Sequence, residues 1–374
     1  MTTAIMLDQL KAFTIRMIGG GNVATILLML IAGYADLLPP QRFPLLACMG
    51  LAFPGFLIVN MAFLVFWLIF KPRLSLLPII GVLLVLPPLQ VYCPIHVKTT
   101  PPSGTIKVLS YNVQAYSGHP RYDDAFDMIY DYFVKCDADI VCLQEDMDTW
   151  RNAKVRMDSL YAYSDTVRFG RTPFFNAIGI YSRYPILKKE RIHYTSRANG
   201  SVAYFLSVKG DTVIVINNHL ESNHLSLSDR EKYSDMLKGE VDKDSARAES
   251  RKLLKKLTQA VEDRAPQADS VAAYIRAHRH LPIILCGDFN DNPISYVRRT
   301  IAKELTDCYV ETGRGPGISY NQKGFYVRID NIFCSSHFVP YNSKVDSKID
   351  ASDHYPIYCW LKLSPKTVKN KENK

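Results

Sequence analysis

Polar residues of one chemical kind recur where short apolar runs stop. Asn112 ends TIKVLSYN, Glu145 ends DIVCLQE, Asn218-His219 ends TVIVINNH, Asp288-Phe289-Asn290 ends LPIILCGDFN, and Asp353-His354 leads into YPIYCWLKL. Side chains at the ends of neighbouring strands converge on one edge of a sheet, so these runs predict a single gathering of carboxylates, amides and imidazoles. Such a set offers hard oxygen ligands to a cation like Mg2+, acids and bases to a water molecule, and donors to phosphate oxygens.

Each of these residues also has a plainer use. Asn112 can cap a turn, Glu145 can be the ordinary polar end of a buried strand, and His219 and His354 can be satisfied histidines. Asp330, in RIDNIF, can simply pair with Arg328. Asp288, Asn290 and Asn292 imitate the first three ligands of an EF-hand loop. That loop fails here, because Pro293 stands at the glycine position and Arg299 where a bidentate Glu is required. Taken together and in order, the set is hard to explain residue by residue.

The elements that must position them are short. From Thr105 onward, runs rich in Val, Ile and Tyr recur between turn signals; NAIGIYS, SVAYFLSV and RIDNIFC join those above, giving eight strands. Gly210-Asp211, between Lys209 and Thr212, predicts a tight hairpin. Helical patterns fall at about Tyr122 to Lys135, Leu225 to Lys238, Ala246 to Ala277, and after Pro293. This mixture predicts one domain of two packed sheets flanked by helices, with 225–280 as its largest helical insertion.

At this point the residues resemble a family. The blocks SYNVQAY, CLQEDMD, NAIGIYSRYPI, VINNHLESN, ILCGDFNDNP, RIDNIFCS and ASDHYPI are similar, in order, to those of the endonuclease/exonuclease/phosphatase superfamily, over about Thr105 to Leu363. The resemblance implies a four-layered α/β sandwich and divalent-metal hydrolysis of a phosphoester, with Mg2+ or Mn2+ as the cofactor. It implies Glu145 as principal metal ligand, with Asn112 and Asp353 completing the metal neighbourhood. Asp288 then orients or deprotonates the attacking water and Asn290 positions it. His354 contacts the scissile phosphate, Asp330 fixes the His354 tautomer, and His219 stabilises the phosphate or assists the leaving group. Asn176 and Arg183 fall in a block that often lines the phosphate pocket. Substrates in the superfamily range over DNA, RNA, inositol phosphates and sphingomyelin, so both a lipid headgroup and nucleic acid are open here. No protein partner is predicted.

The N-terminal third has a different composition. Between Met17 and Val97 only Asp36, Arg42, Lys71 and Arg73 are charged, which excludes a simple soluble enzyme. A bilayer-spanning helix takes about 20 apolar residues, and three stretches qualify, at about 17–35, 43–70 and 74–97. The expected organisation is a membrane anchor over 1–98, a catalytic domain over 99–364, and a basic disordered tail over 365–374. Lys11 and Arg16 before the first stretch favour a cytoplasmic N-terminus. Three crossings then put the catalytic domain on the outer face. Eight cysteines show neither a zinc spacing nor a disulfide framework, and free thiols weigh against an exported domain.

The net charge of +9 is not evidence for nucleic acid. Residues 1–104 hold six basic and two acidic residues and the tail four basic and one acidic, leaving +2 for the part between. Two other readings compete: a catalytically inactive binding module of the same fold, which requires a missing key group, and a membrane sensor or transporter carrying a regulatory domain. A transporter normally carries ionisable groups in mid-span. The second and third stretches carry none, and Asn60 is their notable polar side chain.

Overall fold

Helices dominate the apolar third because only a helix satisfies its own backbone polar groups in hydrocarbon. The computed structural model describes residues 3–117, 124–147, 153–171, 174–322 and 324–364; the expected tail over 365–374 lies outside the described residues. Two helices are long and apolar enough to cross a membrane, Ile5–Gly33 and Pro44–Phe70. The first begins well before the expected position 17, taking in Asp8, Lys11 and Arg16. The third stretch is a bent pair, Pro72–Leu84 and Leu86–Tyr92, with 61° between its halves. Proline explains the break: Pro88 has no N–H to donate to the Leu84 carbonyl four residues earlier. The Tyr34 hydroxyl donates to it instead, at 2.7 Å.

Polar groups inside the bundle are matched to one another. The Asn22 amide donates to Asn60 Oδ1 at 3.2 Å and accepts from Trp67 Nε1 at 3.1 Å, all three side chains being buried. This is interhelical glue of the kind that holds apolar helices together without a hydrophobic driving force.

The rest of the chain forms fourteen strands among the described residues. In chain order they are β1 (Ile106–Asn112), β2 (Ile140–Gln144), β3 (Tyr163–Arg171), β4 (Phe174–Ser182), β5 (Ile186–Ile192), β6 (Gly200–Val208) and β7 (Asp211–His219), followed by β8 (Ile283–Asp288), β9 (Thr306–Asp307), β10 (Tyr320–Gln322), β11 (Phe325–Val327), β12 (Asp330–Cys334), β13 (Phe338–Val345) and β14 (Ile357–Leu363). One six-stranded sheet has the order β13-β14-β1-β2-β4-β3 and the other β5-β6-β7-β8-β12-β9, with β10-β11 as a separate hairpin. The eight strands read from the sequence are the eight interior ones.

Alternation in these strands sends one set of side chains between the sheets and the other outward. Val108, Cys142 and Ile180 of the first sheet meet Val215, Cys286 and Ile332 of the second in one core. The outer face of the first sheet packs on the helix Ala125–Cys136, and that of the second on Lys243–Ala277 and Tyr296–Ala302. The result is the four-layered α/β sandwich. The turn between β6 and β7 differs from expectation by one residue: Lys209 (φ 52°) and Gly210 (φ 89°) are its centre, flanked by the paired Val208 and Asp211. Two positive φ values are what a two-residue hairpin matched to strand twist requires. All eight cysteines are free.

Sandwich and helices pack together. Ile294 is buried in a cluster with Met29, Ala32, Phe53 and Val85. Asp36 accepts from Arg299 at 3.2 Å, and the buried Arg328 donates to the carbonyls of Val91 at 2.6 Å and Pro316 at 2.8 Å. Gly50 lies so close to the loop after β8 that a Cβ there would sit 2.4 Å from the Ile294 carbonyl oxygen.

Candidate active site

Strand register does the gathering. β1 and β2 run parallel with Asn112 beside Gln144, so Glu145 leaves the sheet next to Asn112. β7 and β8 run parallel with His219 beside Asp288, and β12 runs antiparallel to β8 with Asp330 opposite Asp288. Gly287 makes the second pairing tight. Its φ is 141°, and a Cβ on it would fall 1.9 Å from the Asn218 carbonyl oxygen. Ser352 fastens the last segment by donating to the Asn112 carbonyl at 2.8 Å, which sets Asp353 and His354 beside the other groups.

Asn112, Glu145, His219, Asp288, Asp353 and His354 line an open cleft of about 200 Å3, with Asp330 buried behind them. Asp288 is at its centre. Its Oδ1 accepts the Asn290 N–H at 2.7 Å, and its Oδ2 accepts from the Asn112 amide at 3.2 Å. The same Oδ2 lies 3.6 Å from His219 Nε2 and 3.7 Å from His354 Nε2. Asn290 takes a positive φ of 53°, which asparagine tolerates, and its side-chain amide donates to the Leu220 carbonyl at 3.0 Å. Asn292 instead accepts the Ile294 N–H, so the three residues of the EF-hand imitation face three different partners.

The two histidines are in opposite states. Burial, with a further push from His354, holds His219 down to about 3, so it is neutral. Its Nδ1 faces the Asn176 amide nitrogen at 3.1 Å, while Asn176 Oδ1 accepts the Ala177 N–H. The amide must therefore donate to Nδ1, and the imidazole proton sits on Nε2, toward Asp288. For His354 burial opposes charge, but Asp330 and Asp288 outweigh it and raise the group to about 10. Its Nδ1 donates to Asp330 Oδ2 at 2.8 Å. The plainer pairing of Asp330 with Arg328 does not occur.

The carboxylates fall into two groups. Ligand-type atoms of Asp288, Asp330 and His354 lie within 4.8 Å of one another. That trio already contains a cation, the His354 imidazolium. Asp288 is nonetheless raised to about 7, by burial and by Asp330 against the pull of His354. Glu145 keeps 35 % of its side chain open to the cleft yet lies deep enough that desolvation raises its pKa, with repulsion from Asp353 adding to it. Asp353 has Arg230 at 3.6 Å and the charge of the adjoining His354. Hard oxygens crowded in a cleft, where one carboxylate repels another, fit a divalent cation. Glu145 also sits at φ 55°, an uncommon conformation for a glutamate. Asn112 presents its amide nitrogen to Glu145 at 3.2 Å and to Asp288, and its oxygen accepts the Gln114 N–H. It is a bridge between carboxylates here, and ligation through oxygen requires the amide to turn over.

Arg183 is not brought to the site, which corrects the expectation for it. It follows β4 at the end of the strand opposite Asn176, roughly 20 Å away. There it pairs with Asp137 and, at 3.3 Å, with Asp139. Two residues reach the site without having been singled out. Arg230, on the helix Leu227–Lys238, sits over the Tyr320 ring, and Tyr320 packs edge-on against His354 with centroids 5.1 Å apart. Both depend on how a surface helix and the β10-β11 hairpin dock, which leaves no local signal in the sequence.

Comparison with known proteins gives the family and the fold. The chain belongs to the Endonuclease/Exonuclease/phosphatase family, whose model matches residues 109–354. Residues 15–92 match a second model, Domain of unknown function (DUF8431). None of the curated proteins matches. Among solved structures, humanized D. rerio TDP2 carrying 14 mutations is 15% identical, covering 70% of this chain and 100% of its own, with a TM-score of 0.50. D. rerio TDP2 complexed with single strand DNA product is 17% identical with the same coverage and TM-score. A family protein from Bacteroides thetaiotaomicron is 17% identical over 70% of this chain and 98% of its own, with a TM-score of 0.48. At such identities the likeness is one of fold.

Asp330→Asn tests the charge division. Folding raises His354 from 6.5 to about 10, so the stability it contributes is complete below pH 6.5 and is lost as pH climbs through 10. The variant is expected to bring the His354 titration down by more than one pH unit, read by imidazole NMR, and to remove that alkaline loss of stability. A His354 titration unchanged in the variant would contradict the pairing.

Proposed function

We propose that the chain is a membrane-tethered, divalent-metal-dependent phosphodiesterase whose catalytic domain spans 99–364, behind an anchor over 1–98. The observation that carries this reading is the split between a carboxylate set hydrogen-bonded to its own imidazolium and a second set, Glu145 with Asp353, that shares only the more distant charges of His354 and Arg230. Glu145, Asp353 and Asn112 with its amide turned over are the residues that would hold Mg2+ or Mn2+. When bound, such a cation withdraws charge from phosphate oxygens and strengthens the electrophile.

The chain's own groups account for the rest of an in-line displacement. Asp288, raised to about 7, is suited to accept a proton from an attacking water near neutral pH. The Asn290 N–H holds Oδ1, and Oδ2, which accepts from the Asn112 amide, is the oxygen beside both histidines. His354, protonated and clamped by Asp330, donates through Nε2 to charge developing on the phosphoryl oxygens. His219 is neutral, with its proton on Nε2 and its tautomer set by Asn176, and serves as a second donor to the phosphate or the leaving oxygen. A dead binding module would lack one of these groups, and each has a residue of the right kind.

Placement on the outer face is part of the proposal. The sandwich packs on Ala32, Asp36 and Gly50, where the first span ends and the second begins. That is the end opposite the N-terminus, as three crossings require. Lys11, Arg16, Lys71 and Arg73 lie toward the N-terminal end, against Arg42 and Lys98 at the other, which favours a cytoplasmic N-terminus. A lipid headgroup and nucleic acid are both phosphodiesters that this chemistry serves; single strand DNA product accompanies the D. rerio TDP2 structure.

The full chain in lipid nanodiscs is expected to hydrolyse bis(p-nitrophenyl) phosphate with Mg2+ or Mn2+, to stop on chelation, and to lose roughly 10²–10⁴-fold in turnover as Asp288→Asn. Glu145→Gln is expected to need far more metal for half-maximal rate. Full turnover of Glu145→Gln at ordinary Mg2+ would remove the ligand assignment, and a reporter after Lys374 that proved cytoplasmic would reverse the orientation.

A further inference from the structure

The cleft that holds the polar groups has a second, apolar lining that the chemistry above does not use. Cys48 and Leu51 belong to it, together with Leu225, Leu257 and Val261. Two of these come from the membrane segment itself. The helix Phe53–Phe70 has 18 residues, about 27 Å of rise, which takes up most of a hydrocarbon core. Cys48 and Leu51, in the short helical turn that precedes it inside the Pro44–Phe70 span, therefore lie at the end of that span nearest the sandwich. Cys48 packs against Val261 and Leu257 of the long helix Lys243–Ala277, so the wall is continuous from the bundle to the sandwich. Leu51 remains 39% exposed at its edge.

We infer that this wall receives the hydrocarbon chain of a lipid phosphodiester drawn from the bilayer, while its phosphate reaches Asp288 and His354. The inference rests on the phosphodiesterase reading and adds the substrate class. Lipid provides an apolar continuation of the phosphate that nucleic acid lacks, and the wall begins where lipid chains end. The cleft's charge points the same way. Of its two arginines, Arg264 is buried and engaged by Asp291, the Glu221 carbonyl and Asn223, and Arg230 faces Asp353. A polyanion normally needs several free cations along its path, and among the described lining residues there is no such row.

The test uses the full chain in nanodiscs and the inhibition of bis(p-nitrophenyl) phosphate hydrolysis by butyl, hexyl and octyl phosphate. Each methylene that enters the wall is worth about fourfold in affinity when fully buried, so octyl phosphate is expected to outcompete butyl phosphate by at least roughly tenfold. Leu51→Glu is expected to collapse that ratio toward one while butyl phosphate still inhibits, and Leu51→Met to keep it. Equal chain-length dependence in wild type and Leu51→Glu would assign the effect to bilayer partitioning and overturn the inference. So would indifference to chain length in wild type, or inhibition by a short oligonucleotide stronger than by octyl phosphate. If the soluble diester is not hydrolysed at all, it is the phosphodiesterase reading that falls.

Discussion

Glu145, Asp288, Asp330 and Asp353 are brought together where strand ends meet, and carboxylates crowded in a medium poorer than water repel each other. That concentrated negative charge is the constraint around which the site is built. Part of it is met internally. Asp330 and Asp288 bracket His354 and keep its imidazole charged against the cost of burial. Part is met by hydrogen bonds: Asn112 bridges Glu145 and Asp288, and the Asn290 backbone N–H holds Asp288 from the far side. What is left over, at Glu145 and Asp353, is the share that a divalent cation would balance. Buried, unbalanced charge of this kind costs folding free energy, and it persists where function depends on it.

The membrane bundle bears on the same place. From Asp288 the chain runs six residues to Ile294, whose side chain is buried among Met29, Ala32, Phe53 and Val85. Gly50 meets the backbone of that loop, leaving no room for a side chain. Arg328, two residues before Asp330, is held by the Val91 carbonyl at the end of the bent third stretch. Both loops that deliver the central carboxylates are thus seated on the anchor. The boundary near residue 98 separates two compositions, yet the packing across it joins the bundle to the loop carrying Asp288.

What could be read from the sequence follows the same physics. The eight interior strands are apolar on both faces or nearly so, and their runs stand out. β3, β5 and β13 lie at sheet edges and carry charged residues, as in YSDTVRFGR and ILKKERI, which blurs the alternation that marks a strand. Asn112, Glu145, His219, Asp288, Asp330 and His354 are legible because each stands at the end of a recognisable run, and register within each sheet, the packing of the two sheets and the Ser352 hydrogen bond bring them together. Arg183 misled because a block of sequence covers a whole strand. Asn176 lies near the start of β4 and Arg183 just past its end, so the two lie at opposite ends of the strand. Arg230 and Tyr320 were invisible, since only tertiary docking gives them their neighbours. The two histidine protonation states were equally out of reach, being set by burial and by partners distant in the chain.

Mn2+ binding to the full chain in nanodiscs, followed by electron paramagnetic resonance, tests the division of charge most directly. Wild type and Asp330→Asn are expected to bind the ion, whereas Glu145→Gln is expected to bind it at least roughly tenfold more weakly, consistent with the loss of one charged ligand. Binding that survives in Glu145→Gln and disappears in Asp330→Asn would show that the trio around His354 is the cation site, and would contradict the division on which the proposed chemistry rests.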